Sequence, residues 1–413
     1  LTPLAFSLFA LSLHSHAAED FSNLLSQGKA SLDARYRYEY VDQDNLLNNA
    51  NAQTLRTRLG FQSGKFHGLS ALVEADNVSR IGDAAYNSTR NGQSQYSVVA
   101  DPDGTEMNQA LLRYDHTLGN LIGGRQRINL DNQRFIGSVA WRQNEQTFDG
   151  ALGQLKPIEN LTLTYAYIDN INSVFGPDNG RYASAANPAN IEGHSHLFNA
   201  QYQVATELVI TGYSYLLGLN NLALIASGPT GTQSSKTSGV RLTGLVQGFS
   251  YAAEYASQTD YADNPWSLDS DYYLGELGYT LQTVALKAGY EVLTGDSGPG
   301  ARNQAFQTPL ATKHAFQGWA DVFLTTPIGG VEDAYLGASM PLLGGTAQAV
   351  YHDFSAQSSV STGDDYGSEI NLSYAHPIPG VKGLVGLAKY ADYSADDFSV
   401  DTRKFWLQLQ YSL

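Results

Sequence analysis

Arginine is where this sequence concentrates its chemistry. Ten basic side chains, Arg35, Arg37, Arg56, Arg58, Arg113, Arg125, Arg127, Arg241, Lys287 and Lys389, fall on the charged parity of short alternating runs. Acids share that parity, notably Asp33, Glu39, Glu74, Asp76, Glu254, Glu276, Glu291 and Glu369. A guanidinium presents a fixed fork of donors that suits carboxylate and phosphate groups. Set in the wall of a pore, rings of basic groups select anions and rings of acids select cations. The early runs carry more arginine than acid, so the expected preference is for anions. Each charge also has a plainer reading, as half of a cross-strand ion pair that only stabilises a wall.

Other chemistries find little footing. The chain has no cysteine, which removes thiol nucleophiles, disulfides and Cys-ligated metals together. Its nine histidines are scattered and neither a GxSxG nor an HExxH run occurs, so no catalytic residue, metal or cofactor is expected. The acidic runs DPDGTE, Asp101 to Glu106, and TGDDYGSE, Thr362 to Glu369, lack EF-hand spacing and read as solvated turns. A formal net charge of −16 speaks against a nucleic-acid partner, whose phosphates would be repelled.

The elements that must position these charges alternate with a period of two from Ala30 onward. Ala30, Leu32, Ala34, Tyr36, Tyr38 and Tyr40 share one parity, and Ser31, Asp33, Arg35, Arg37 and Glu39 the other. A strand sends alternate side chains to opposite faces, so one face is apolar and aromatic while the other is charged. The pattern recurs at Leu55 to Gln62, Leu69 to Asp76, Tyr251 to Gln258 and Leu286 to Glu291. A soluble sandwich would bury its apolar face in a dense aliphatic core built from shorter strands. Runs of about ten residues, tyrosines near their ends (26 Tyr against 4 Trp) and charge through mid-strand fit a transmembrane barrel instead.

Turns and loops alternate along the chain. Eight short turns, from Gly64–Gly68 to His376–Lys382, and nine long loops, from Asp42–Gln53 to Ser394–Val400, give eighteen strands. The fold class expected is therefore all-β, a transmembrane antiparallel barrel with short periplasmic turns and long extracellular loops. Lys313 to Thr325 could form one more strand, but an odd count would point the closing strand the wrong way. His314 to Thr326 is accordingly read as part of a large loop folded inward. A barrel of sixteen to eighteen strands leaves an aqueous lumen. Residues 1–18 read as an export leader without its basic flank, with small residues Ser15 and Ala17 before a cut after Ala17 or Ala18, and 19–413 as one barrel domain. The last strand, Phe405 to Leu413, ends flush with the sequence.

The separated stretches SLDARYRYEYV, TLRTRLGF, GGRQRINLDNQRFIGSVAWRQNEQTFDGA (Gly123 to Ala151), AGYEVLTGD (Ala288 to Asp296), FQTPLATKHAFQGWADVF (Phe306 to Phe323) and the closing KFWLQLQYSL occur in this order. Together they resemble the alginate export family of outer-membrane porins. The resemblance implies a barrel in the outer membrane of a Gram-negative bacterium, with an arginine-lined conduit for an anionic polysaccharide. It places Arg125, Arg127, Asp131, Arg134, Trp141, Arg142, Gln146, Asp149, Glu291 and Asp321 in the pore wall or constriction. It departs at Leu413, where the usual terminal residue is aromatic, and in its many lumenal acids. The partners expected are outer-membrane lipid and lipopolysaccharide, the barrel-assembly machinery, and a hydrophilic anionic solute or polysaccharide. A structural barrel plugged by its loops or by a partner is the competing reading; it would need an apolar, well-packed interior.

Overall fold

A computed structural model describes residues 16–295, 302–359 and 363–413. Residues 1–15, and with them most of the expected leader, lie outside the described residues. Helix α1 (His16–Ser26) precedes the strands and rests its Phe21 ring edge-on against Phe66 in the first short turn, at 6.2 Å.

Eighteen strands follow: β1 (Lys29–Gln43), β2 (Ala50–Gln62), β3 (Leu69–Arg80), β4 (Gly104–His116), β5 (Gly119–Gln126), β6 (Thr147–Leu155), β7 (Leu161–Asn172), β8 (Asn190–Ala205), β9 (Leu208–Leu217), β10 (Ser235–Val246), β11 (Phe249–Asp260), β12 (Asp269–Leu281), β13 (Val284–Thr294), β14 (Gly330–Leu342), β15 (Gly345–Ser355), β16 (Asp365–Pro377), β17 (Leu384–Ala395) and β18 (Thr402–Ser412). Each pairs antiparallel with its sequence neighbours, and β18 pairs with β1, so the sheet closes without an edge. Closure is what hydrocarbon demands, because an open edge would leave backbone groups unsatisfied there. The expected all-β barrel, its strand count and its alternation of short turns with long loops are all present. Three of the tight turns, at His67–Gly68, Gln247–Gly248 and Leu343–Gly344, hold both central residues at positive φ. Such turns match the right-handed twist of the hairpin, and glycine second avoids the Cβ clash.

The outer face is apolar and uncovered. Leu59, Leu277 and Leu336 are 59%, 61% and 64% exposed, the reverse of a soluble protein and the arrangement of one surrounded by lipid. Near the long-loop rim, outward tyrosines donate to polar neighbours: Tyr38 to Asn51 (2.9 Å), Tyr255 to Asp271 (2.9 Å) and Tyr290 to Glu332 (2.7 Å). These rings form a girdle whose bodies sit in hydrocarbon and whose hydroxyls reach the polar interface.

Two loops turn inward. Loop 127–146 and segment 302–329 are joined by Gly137 N–H to Leu310 O (2.9 Å) and Thr312 N–H to Gln133 O (3.0 Å). Residues 314–326 form no strand: Lys313–Ala315 is a single 3₁₀ turn inside the barrel, as the inward-loop reading expects. One expectation needs correction. The barrel is expected to leave an aqueous lumen, yet the long-loop half of the interior is packed. Phe135 lies 5.5, 5.3 and 5.9 Å from Tyr213, Tyr272 and Phe306, and Phe323 lies 4.6 Å from Phe354. The loops bring these apolar side chains with them and meet inward-facing aromatics of the wall, which period-two counting within strands cannot see.

Candidate functional site: the charged interior and the outer mouth

The sites follow from β1 and β2, where alternation turns Arg35, Arg37 and Glu39 inward beside Arg56 and Arg58. Arg35 stands directly opposite Arg56 in the register. Like charges at that spacing need acceptors, and the wall supplies them unequally. Arg56 is held by Asp33. Arg58 binds Asp76 through two bonds of 2.7 and 2.6 Å and lies 3.2 Å from Glu145. Arg127 bridges Glu74, at 2.5 Å, and Glu145. Arg35 has only neutral acceptors among the described residues: Gln410 (3.1 Å) and the backbone carbonyls of Ala140, Trp141 and Arg142 (3.0, 3.3 and 3.3 Å). Arg37 donates to the Trp141 carbonyl (2.6 Å) and lies under the indole at 4.0 Å, clamping loop 127–146 to the wall.

A second centre fixes segment 302–329. Asp321 accepts from His314 Nδ1 (2.7 Å), Arg142 (3.2 Å) and Lys404 (2.9 Å). Arg142 also reaches Glu39 at 3.2 Å. Lys389 donates to His314 Nε2 at 2.6 Å, which assigns the ring proton to Nδ1. Its ammonium sits 3.6, 4.4 and 5.6 Å from the rings of Trp319, Trp141 and Trp406, three of the chain's four tryptophans. Desolvated cation–π contacts contribute about 2 kcal/mol or more. Burial above all, opposed by Asp321, holds the His314 imidazolium down to about 3. Burial works against the Asp321 carboxylate, but His314, Lys404 and Arg142 outweigh it and keep it well below the usual range.

A third centre ties the loops to the far wall. Arg134 donates to Glu291 (2.6 Å), which also accepts from Tyr272 (2.8 Å) and Gln317 (3.1 Å). Glu369 accepts the backbone N–H groups of Trp319 (2.5 Å) and Ala320 (2.9 Å). Arg241 pairs with Glu254 at 2.5 Å. Towards the short-turn rim the charges are wetter: Lys287 and Arg113 are 51% and 38% exposed beside Glu276 and Asp115.

Two sequence-read positions move to the other face. Arg125 stands opposite Ala110 and Asp149, on the side that carries the exposed Leu112 and Leu121, while Gln126 and Phe148 are buried inside. The Arg125–Asp149 pair (2.7 Å) therefore lies on the outer wall, one residue from the end of β5, where polar headgroups begin. Gly123 and Gly124 carry no side chain to mark the face, which is why parity failed here. Arg127 is inside because β5 has ended and the chain turns inward. Arg125→Ala should leave the ion selectivity of the barrel unchanged in a bilayer reversal-potential measurement; a shift as large as that of Arg127→Ala would contradict this placement. Asp101 is a further correction. It is fully buried, 3.8 Å from both Arg37 and Arg142, rather than in a solvated turn.

Sequence reasoning missed His314, Trp319, Lys313 and Glu145, which lie in loops where no period marks a face. Lys404 and Trp406 share the inward parity of the last strand with Gln408, and that signal was available.

Above these centres the loops enclose a cavity of about 590 Å³ at the outer mouth. Leu222, Leu224, Val98, Val174 and Leu324 line its walls, and Lys313, His314, Asp321 and Lys404 its base.

Closed eighteen-strand geometry, a lipid-facing apolar band and a charged interior narrowed by inward loops define an outer-membrane channel. The alginate export family matches residues 26–323, and the chain belongs to that family. It resides in the bacterial outer membrane. No curated protein matches the sequence. Among solved structures it is similar to Pseudomonas aeruginosa OccK3 (OpdO), 15% identical with a TM-score of 0.70 over 97% of this chain and 99% of that one. Acinetobacter baumannii OccAB4 is 15% identical with a TM-score of 0.68 over 94% and 98%. Pseudomonas aeruginosa OpdK, solved with vanillate, is 13% identical with a TM-score of 0.70 over 94% and 99%. At such identities the likeness speaks for the fold.

Proposed function

We propose that the barrel passes small hydrophilic anions, or an anionic saccharide, down an arginine-bearing track on β1 and β2. The observation that carries this reading is Arg35, a guanidinium facing Arg56 across the register and supplied only with neutral acceptors among the described residues. A passing carboxylate is the natural counter-charge for such a group, and release of one acceptor for another keeps the exchange shallow. The family's name points to a polyanionic cargo, and OpdK was solved with vanillate. Catalysis has no part in this reading.

The reversal potential of the purified barrel in a planar bilayer under a salt gradient tests it. Anion preference that falls on Arg35→Ala is the expected result; cation preference would mean that the paired acids dominate. The packed aromatic cluster around Phe135 and Phe323 favours a second reading, a barrel closed by its own loops, and complete electrical silence would select it.

A further inference from the structure

We infer that the outer mouth is a binding site for one compact amphipathic carboxylate, its apolar body against Leu222, Leu224, Val174 and Leu324 and its charge at Lys313. The inference deepens the anion-channel reading and rests on it.

Three observations converge. First, about 590 Å³ falls within the range of pockets that bury one small molecule. Second, the walls are mainly apolar, with Gln43, Asn187 and Gln233 among the residues that interrupt them. A hydrocarbon ring gains by burial against Leu222, Leu224, Val174 and Leu324, where a saccharide hydroxyl would lose water without a partner. Third, the basic groups at the base are not equally engaged. Arg142 and Lys404 are committed to Asp321, and Arg142 to Glu39 as well. Lys313 is the exception among the described residues: its ammonium meets only the Leu324 carbonyl, at 2.5 Å, with no carboxylate in reach. The neighbouring Arg134 charge adds to its positive potential instead of offsetting it. A cation so placed, at the foot of apolar walls, is complementary to a molecule with an acid at one end and hydrocarbon at the other.

Calorimetry on the whole barrel in lipid nanodiscs tests this, with cyclohexanecarboxylate, gluconate and acetate as probes. Cyclohexanecarboxylate should bind one per chain at least tenfold more tightly than either of the others. Lys313→Gln and Leu224→Asn should each weaken it about tenfold, with the heat-modifiable gel migration of the folded barrel retained. Gluconate or uronate oligomers binding as tightly, Lys313→Gln without effect, or no binding at all would overturn the assignment. Binding needs no conduction, so the two readings fail separately. A barrel that binds the ring acid but passes no anion current keeps the site and loses the channel; one that conducts anions yet prefers gluconate does the opposite.

Discussion

Asp321→Ala should raise single-channel conductance several-fold by unseating segment 302–329 from the barrel wall. The carboxylate is 4% exposed and serves His314, Arg142 and Lys404 together. Its removal leaves two cations and a ring N–H buried with one acceptor fewer than they need. Breaking a buried ion pair in this way costs about 3–5 kcal/mol, comparable with the whole stability of a docked loop. The strands themselves do not depend on Asp321, so the barrel should still fold. Asp321→Asn, which keeps an oxygen acceptor, should give an intermediate conductance. Protease sensitivity of the segment in reconstituted vesicles should rise in parallel; unchanged conductance with the segment still protected would show that the seat lies elsewhere.

Acid should have the same effect through the other side of the centre. Protonating His314 at Nε2 sets a second cation against the Lys389 ammonium, with Arg142 also facing the ring and only Asp321 opposing. Seated, the imidazole titrates at about 3; released, it returns to its ordinary value near 6.5. The released state therefore binds more protons between those two values. The contribution of the seat is fully present above about pH 6.5 and is lost as pH falls towards 3, by about 1.4 kcal/mol per pH unit. Measuring open probability between pH 6.5 and 5.5 keeps ordinary carboxylates, which titrate at about 4, ionised. It should rise steadily on acidification, and His314→Gln should flatten the curve. A curve of the same slope in that variant would assign the response to other groups.

The fold was legible because membrane strands obey a local rule. Each side chain from Arg35 to Tyr40 declares its face through its neighbours two residues away, and the short turns announce themselves by glycine and polar clusters. The same rule placed Arg37, Glu254, Glu291 and Lys389 inside. It failed at Arg125, where two glycines erase the pattern, and it has nothing to say about loops. Trp141, Arg134, Arg142 and Asp321 entered by resemblance to a family, not by spacing. His314 and Lys313 could be assigned to an inward loop but not to partners, because Asp321, Lys389 and Leu324 become their neighbours only when the segment folds back inside. The apolar packing around Phe135 was hidden for the same reason. Its residues come from one loop, two strand walls and a second loop, and no window of sequence contains them together.

The polar locks that narrow the interior also impose an order on its making. Arg134 must wait for Glu291, 157 residues later, and Arg142 for Asp321, 179 residues later. Loop 127–146 is thus complete long before either anchor on β13 and beyond exists, and contacts so distant along the chain form late. A nascent barrel should hold loop 127–146 from one side only, by its earlier bonds to Arg35, Arg37, Arg58 and Glu74, until the third quarter of the chain has joined the wall. Complete constriction then waits for Asp321, and a chain arrested at the end of β13 would carry loop 127–146 docked on the early strands and on Glu291 but without that last lock.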